Sequence, residues 1–107
     1  MSTIYVKQND TKPDIKAIIL DDDDEIIDLT NATAKFFMCD ISGIVKVDGT
    51  ADVTDATAGE VKYTWVTGDL DTVGTYTAEF QITFADASIL TAPSKGYMTI
   101  VVSTELN

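Results

Sequence analysis

The stretch GTYTAEFQITF, residues 74–84, alternates without a break: Tyr76, Ala78, Phe80, Ile82 and Phe84 stand against Thr75, Thr77, Glu79, Gln81 and Thr83. Successive side chains on a strand leave opposite faces, so a period of two predicts a long strand with one dry and one wet face. EVKYTWV, residues 60–66, repeats the pattern, with Val61, Tyr63 and Trp65 on one face and Lys62 and Thr64 on the other. β-Branched and aromatic runs bounded by Gly, Pro, Asn or Asp predict further strands. They cover Ile4–Lys7, Ile15–Leu20, Ile26–Asp28, Ala34–Asp40, Ile44–Val47, Ala87–Thr91 and Tyr97–Ser103. Short strands about every ten residues, with turn residues between, are the pattern of a β-sandwich or barrel. The best helical stretch, Leu29–Lys35, is too short to hold a helix and predicts a single turn near Asn31. Pro13 and Pro93 fall between runs, and no linker or repeat divides the chain, so residues 1–107 are expected to form one domain.

Charge narrows the partners. Seven Lys and Arg against 18 Asp and Glu give −11, while 45% of residues are apolar, too many for a disordered acidic tail. A small body so acidic repels phosphate backbones and anionic lipid headgroups, which disfavours nucleic acid and membrane surfaces. No apolar run is long enough for a membrane span, and MSTIYVKQND has no basic region followed by an apolar stretch, so synthesis in the cytoplasm without export is expected. Cys39 is the single cysteine, which excludes an internal disulfide; within Phe36-Phe37-Met38-Cys39 it reads as a buried thiol. There is no histidine, which removes the usual general base and the commonest zinc ligand together.

Several constellations could carry chemistry. Asp21, Asp22, Asp23, Asp24 and Glu25 stand in succession between Leu20 and Ile26. Calcium takes six to eight oxygen ligands, but its loops interleave acidic residues with glycine and spacers, so a solvated hairpin turn is the better reading. The same calcium question extends to Asp69 and Asp71, in the loop after Trp65. Glu60 and Glu79 are the glutamates of the long strands, and Glu79 lies on the wet face, where an ordinary ionised carboxylate is expected rather than a general acid. Threonine is abundant but has no histidine to activate it, and neither G-x-S-x-G nor a glycine-rich phosphate loop is present. No catalytic residue and no cofactor follow. Trp65 with Tyr63, or Tyr76 with Tyr97, could offer a sugar an aromatic platform, but each shares a face with apolar strand positions, which favours core packing.

Gly74 and Tyr76 open the long strand after DLDTV. A tyrosine two residues after a glycine at this place matches the tyrosine corner of immunoglobulin-like domains, whose hydroxyl bonds back to upstream backbone. Ala78 stands where antibody domains carry a cysteine, and Trp65 comes one strand too late for their tryptophan, so an antibody-type domain is excluded. The expectation is an all-β, immunoglobulin-like antiparallel sandwich of about seven to nine strands without a disulfide. Tyr63, Trp65, Gly74, Tyr76, Phe80, Phe36 and Tyr97 are its expected structural residues.

The ordered segments VKQNDTKPDIKAII, DLTNATAKFFM, GEVKYTWVTGDLDTVGTYTAEFQITFADA and APSKGYMTIVV run through nearly the whole chain. In this order they resemble the N-terminal immunoglobulin-like domain of baseplate upper proteins from tailed phages of Gram-positive bacteria. The resemblance implies a non-enzymatic structural role in the virion tail or baseplate. It implies docking on other tail or baseplate proteins, with a homo-oligomer left open. The chain stops at Asn107, short of the C-terminal parts that carry oligomerisation and host recognition in that family, so the resemblance supports docking and is silent on host binding. The alternative from a different class is a carbohydrate-binding module assisting host attachment, with calcium at the acidic turn.

Overall fold

The structure is a computed structural model that describes residues 3–93 and 98–104. Its elements are β1 (Thr3–Lys7), β2 (Ile15–Ile18), β3 (Thr33–Asp40), β4 (Val45–Asp55), β5 (Glu60–Tyr63), β6 (Gly74–Thr83), β7 (Ile89–Ala92) and β8 (Met98–Ser103). No helix occurs among the described residues, and Asn31 forms a turn with φ 63° closed by the Ala32 amide on Leu29 O.

One sheet runs β1-β8-β6-β3-β4, with β7 beside β6. Residues Val45 to Ala51 of β4 pair with β3, then Asp52 to Asp55 pair with β5, and β5 pairs with β2. β4 therefore passes from one sheet into the next, and the second sheet folds over the first. β8 pairs with the first half of β6 and β7 with the second half. β1 pairs with β8 in parallel, which corrects the expectation of a purely antiparallel sandwich. These are the first and last strands, so no short hairpin joins them and none dictates an antiparallel direction.

The dry faces follow the alternation. Ala34, Phe36 and Met38 of β3, Tyr76, Ala78, Phe80 and Ile82 of β6, and Met98, Ile100 and Val102 of β8 are all buried. From the second sheet Ile15, Val61, Tyr63 and Trp65 close on them. Phe36 is the centre: it stacks on Tyr63 at 4.6 Å and meets Trp65 edge-on at 5.7 Å and Phe80 at 5.1 Å. Burying such rings contributes about 1.5–3 kcal/mol apiece before any stacking. The same alternation turns Phe37 and Cys39 to the outer face, where both are half-buried; this corrects the reading of Cys39 as a core thiol.

The largest departure from the expected strands is β4, which runs to Asp55 where the sequence pattern ends a strand at Val47. Asp48-Gly49 is turn chemistry by propensity. Here Gly49 lies opposite Phe36 in the ladder, and a Cβ on it would sit 2.7 Å from Tyr63 Cε1. The glycine serves the packing of a ring above a strand rather than a bend. Ile26 makes only an isolated bridge to Leu20, and Tyr97 lies outside the described residues.

Candidate functional site

Strand direction sorts the loops into two ends. Residues 8–14, 41–44 and 64–73 share one end, and residues 19–32, 56–59 and 84–88 share the other.

At the first end, buried polar tips tie the loops to the core. Trp65 Nε1 donates to Pro13 O at 3.1 Å, joining the loop before β2 to the residues after β5. The Tyr63 hydroxyl donates to Asp69 Oδ2 at 2.6 Å, and Val66 N donates to the same oxygen at 2.8 Å. Burial first, then that bond and the Asp69 charge, push the Tyr63 phenol well above its ordinary pKa. The Tyr76 hydroxyl donates to Thr72 O at 2.8 Å. Gln8 Nε2 donates to Asp71 O, Asn9 N donates to Leu70 O, and Lys46 Nζ pairs with the Asp71 carboxylate. Bonds from Lys46 and Thr72 hold Asp71 below the usual carboxylate range. Asp69 and Asp71 are thus anchors for their own loop, a role that nothing local in TGDLDTV announces. Asp14 lies between Lys12 at 3.3 Å and Lys62 at 3.6 Å; burial pushes its pKa up, but the two ammonium groups outweigh this and lower it.

The acidic run is a hairpin turn. Asp21 Oδ1 accepts the Asp23 and Glu25 amides at 2.8 and 3.0 Å, Asp24 N donates to Asp21 O, and Asp24 takes φ 61°. The turn at Asp40 has the same bonds: Asp40 Oδ1 accepts the Ser42 and Ile44 amides at 2.9 and 3.0 Å, with Gly43 at φ 85°. One oxygen of the first aspartate therefore organises each turn, as an Asx motif does. All five acidic residues of the run are exposed, and no group of three or more Cys, Asp or Glu side chains is set to hold a metal ion among the described residues.

Glu60 accepts the Thr54 hydroxyl at 2.7 Å, and Glu79 is half-buried opposite Phe37 on the outer face. Asp28 is held low by the Thr30 hydroxyl and amide, and Asp86 by those of Ser88. A general acid needs a carboxyl raised towards neutrality; Asp14, Asp28, Asp71 and Asp86 move the other way. No buried side-chain nitrogen or oxygen among the described residues lacks a partner. Tyr63, Trp65 and Tyr76 are buried, so their ring faces are not open to a ligand, and Phe36 and Phe80 are wholly enclosed. Gly74 begins β6 opposite Val102, with space for a Cβ at ordinary contact with the Tyr76 ring.

Large apolar side chains are also exposed at both ends. At the first end Ile41 is 85% exposed at the β3–β4 turn, beside exposed Ile44 and Val45; at the other Ile18, Leu20 and Ile26 are exposed on and beside β2. The molecule is an all-β, disulfide-free sandwich whose interior hydrogen bonds fix loops and whose outward features are strand edges and apolar patches. It belongs to the family described as the BppU N-terminal domain, the N-terminal domain of the phage baseplate upper protein, which matches residues 2–94. No curated protein matches the chain. Among solved structures the chain is similar to CopC from Methylosinus trichosporium OB3b. The TM-score is 0.58 at 15% identity, covering 100% of this chain and 89% of that one, a likeness of fold alone.

Proposed function

We propose that this chain is a non-catalytic docking domain of a phage baseplate, acting in the virion through contacts with other tail or baseplate proteins. Membership of the BppU N-terminal family over residues 2–94 carries the reading. It is supported by where the side chains are used: the buried hydroxyls of Tyr63 and Tyr76 and the indole N–H of Trp65 all bond within the chain. The fold-holding residues are Phe36, Tyr63, Trp65, Tyr76 and Phe80, and the binding surface lies elsewhere on the domain.

The test is sedimentation velocity of the purified chain mixed with each baseplate protein of the phage that encodes it. A stable complex with one of them at micromolar concentration is the expected result. A chain that stays free of all of them overturns the reading, and binding to host glycans without any baseplate complex would replace it with an attachment module.

A further inference from the structure

The second sheet is narrower than the first: it holds only the end of β4, β5 and β2, against the run β1-β8-β6-β3-β4. Beside β2 this leaves a groove of about 650 Å³. Ile4, Ala92 and Met98 of the first sheet form its apolar wall, facing Ala17 and Ile19. Asp21, Asp22 and Asp24 stand on its rim against Lys16.

Among the described residues no strand pairs with the edge of β2 along this groove. Antiparallel partners bond in alternation. Ile19 N donates to Gly59 O at 2.8 Å, which fixes the phase: residues 15, 17 and 19 bond towards β5, and Lys16 and Ile18 turn their N–H and C=O away from it. A row of such groups is a template for one more strand. The end of the molecule where β2 finishes also gathers acidic residues. The run at residues 21–25, Asp28, Asp55 and Asp86 gather there, whereas the ion pairs among the described residues join Lys12 and Lys62 to Asp14, Lys35 to Asp48 and Lys46 to Asp71.

Building on the docking role argued above, we propose that the groove takes an extended segment of a partner protein as an added strand on β2. That segment is apolar at alternate positions, to fill the groove, and carries Lys or Arg near the acidic rim. Main-chain bonds to Lys16 and Ile18 supply the pairing, the groove selects alternation, and the rim selects charge.

The probe is a short synthetic peptide alternating valine and lysine, added to the isotope-labelled full chain. Amide exchange at Lys16 and Ile18 should slow by about tenfold or more, while a valine–glutamate peptide leaves it unchanged. Ile18→Pro removes a donor that does not bond β5, and proline is tolerated at an open edge, so this variant should melt near the wild type and lose the peptide. Replacing Asp22 and Asp24 together with asparagine keeps the edge and should weaken binding and flatten its salt dependence. The proposal is overturned if no peptide binds at millimolar concentration or if the glutamate peptide binds equally. It is likewise overturned if the protected amides lie outside β2, or are protected without peptide by a second copy of the chain. In the baseplate mixture, an Ile18→Pro variant that assembles like the wild type removes the groove from the account and leaves docking intact. A wild type that fails to assemble removes docking itself.

Discussion

Tyr63 and Asp69 hold each other: the hydroxyl donates a 2.6 Å bond to Asp69 Oδ2, the oxygen that also accepts the Val66 amide at 2.8 Å. One carboxylate thereby joins the loop after β5 to the ring stacked on Phe36. Burial and the neighbouring negative charge both favour the neutral phenol, so folding raises its pKa. An unfolded tyrosine ionises near pH ~10. The folded chain keeps the proton longer, so this contribution to stability is whole below that pH and is lost as pH rises above it. Lys46, raised by its bond to Asp71, loses its contribution in the same alkaline range.

Tyr63→Phe is therefore expected to cost about 1–2 kcal/mol at neutral pH and to make the fall in stability above pH ~10 shallower. Urea unfolding of both proteins across that range checks it. Parallel profiles would mean that Tyr63 does not feel Asp69.

Gly49 gives a second prediction. A Cβ there would lie 2.7 Å from Tyr63 Cε1 and 3.1 Å from its hydroxyl oxygen, closer than packed atoms allow. Gly49→Ala should cost about 1–3 kcal/mol by overpacking. In a Tyr63→Leu background the ring is gone, and the alanine should cost far less. A double-mutant cycle with additive losses would place the strain somewhere other than this contact.

How much of this was legible in the sequence depends on how local each cause is. The strand β6 is legible because each of its residues faces core or solvent by parity alone. The second half of β4 was not, because Asp48-Gly49 and the run Ala51 to Asp55 carry turn and polar residues whose strand role is imposed from outside. Gly49 answers to Tyr63, fourteen residues on by subtraction of their numbers, and no window centred on the glycine contains that reason. The Trp65 bond to Pro13 spans 52 positions and is equally silent. Outward features fare worst: the groove beside β2 exists because one sheet is narrower than the other, which is a property of topology.

The paired turns yield a test of local geometry. Asp24 and Gly43 hold the same place in two turns with the same bonds, at φ 61° and 85°. Glycine adopts this region freely and aspartate at some cost, so Asp24→Gly should stabilise by up to about 1 kcal/mol, while Gly43→Ala should destabilise by about 1 kcal/mol. Asp21→Ala and Asp40→Ala should each lose about 1 kcal/mol, because each removes one oxygen that serves two amides. Thermal melts of these variants decide it. Opposite signs at the two turns for the aspartate substitutions would show that the shared bonding does not govern them.

Tyr76 separates what a ring does from what its hydroxyl does. The ring is buried on β6 between partners Asp40 and Ile100, and the hydroxyl reaches Thr72 O at 2.8 Å. Tyr76→Phe keeps the ring and removes one bond to a loop that Gln8, Asn9 and Lys46 also hold. It should therefore cost about 1 kcal/mol, with faster amide exchange confined to residues near Thr72. Tyr76→Ala empties a core position and should cost about 3–5 kcal/mol, lowering protection across β6 and β8. If the phenylalanine variant already loses as much as the alanine variant, the loop tether rather than core packing is what Tyr76 contributes.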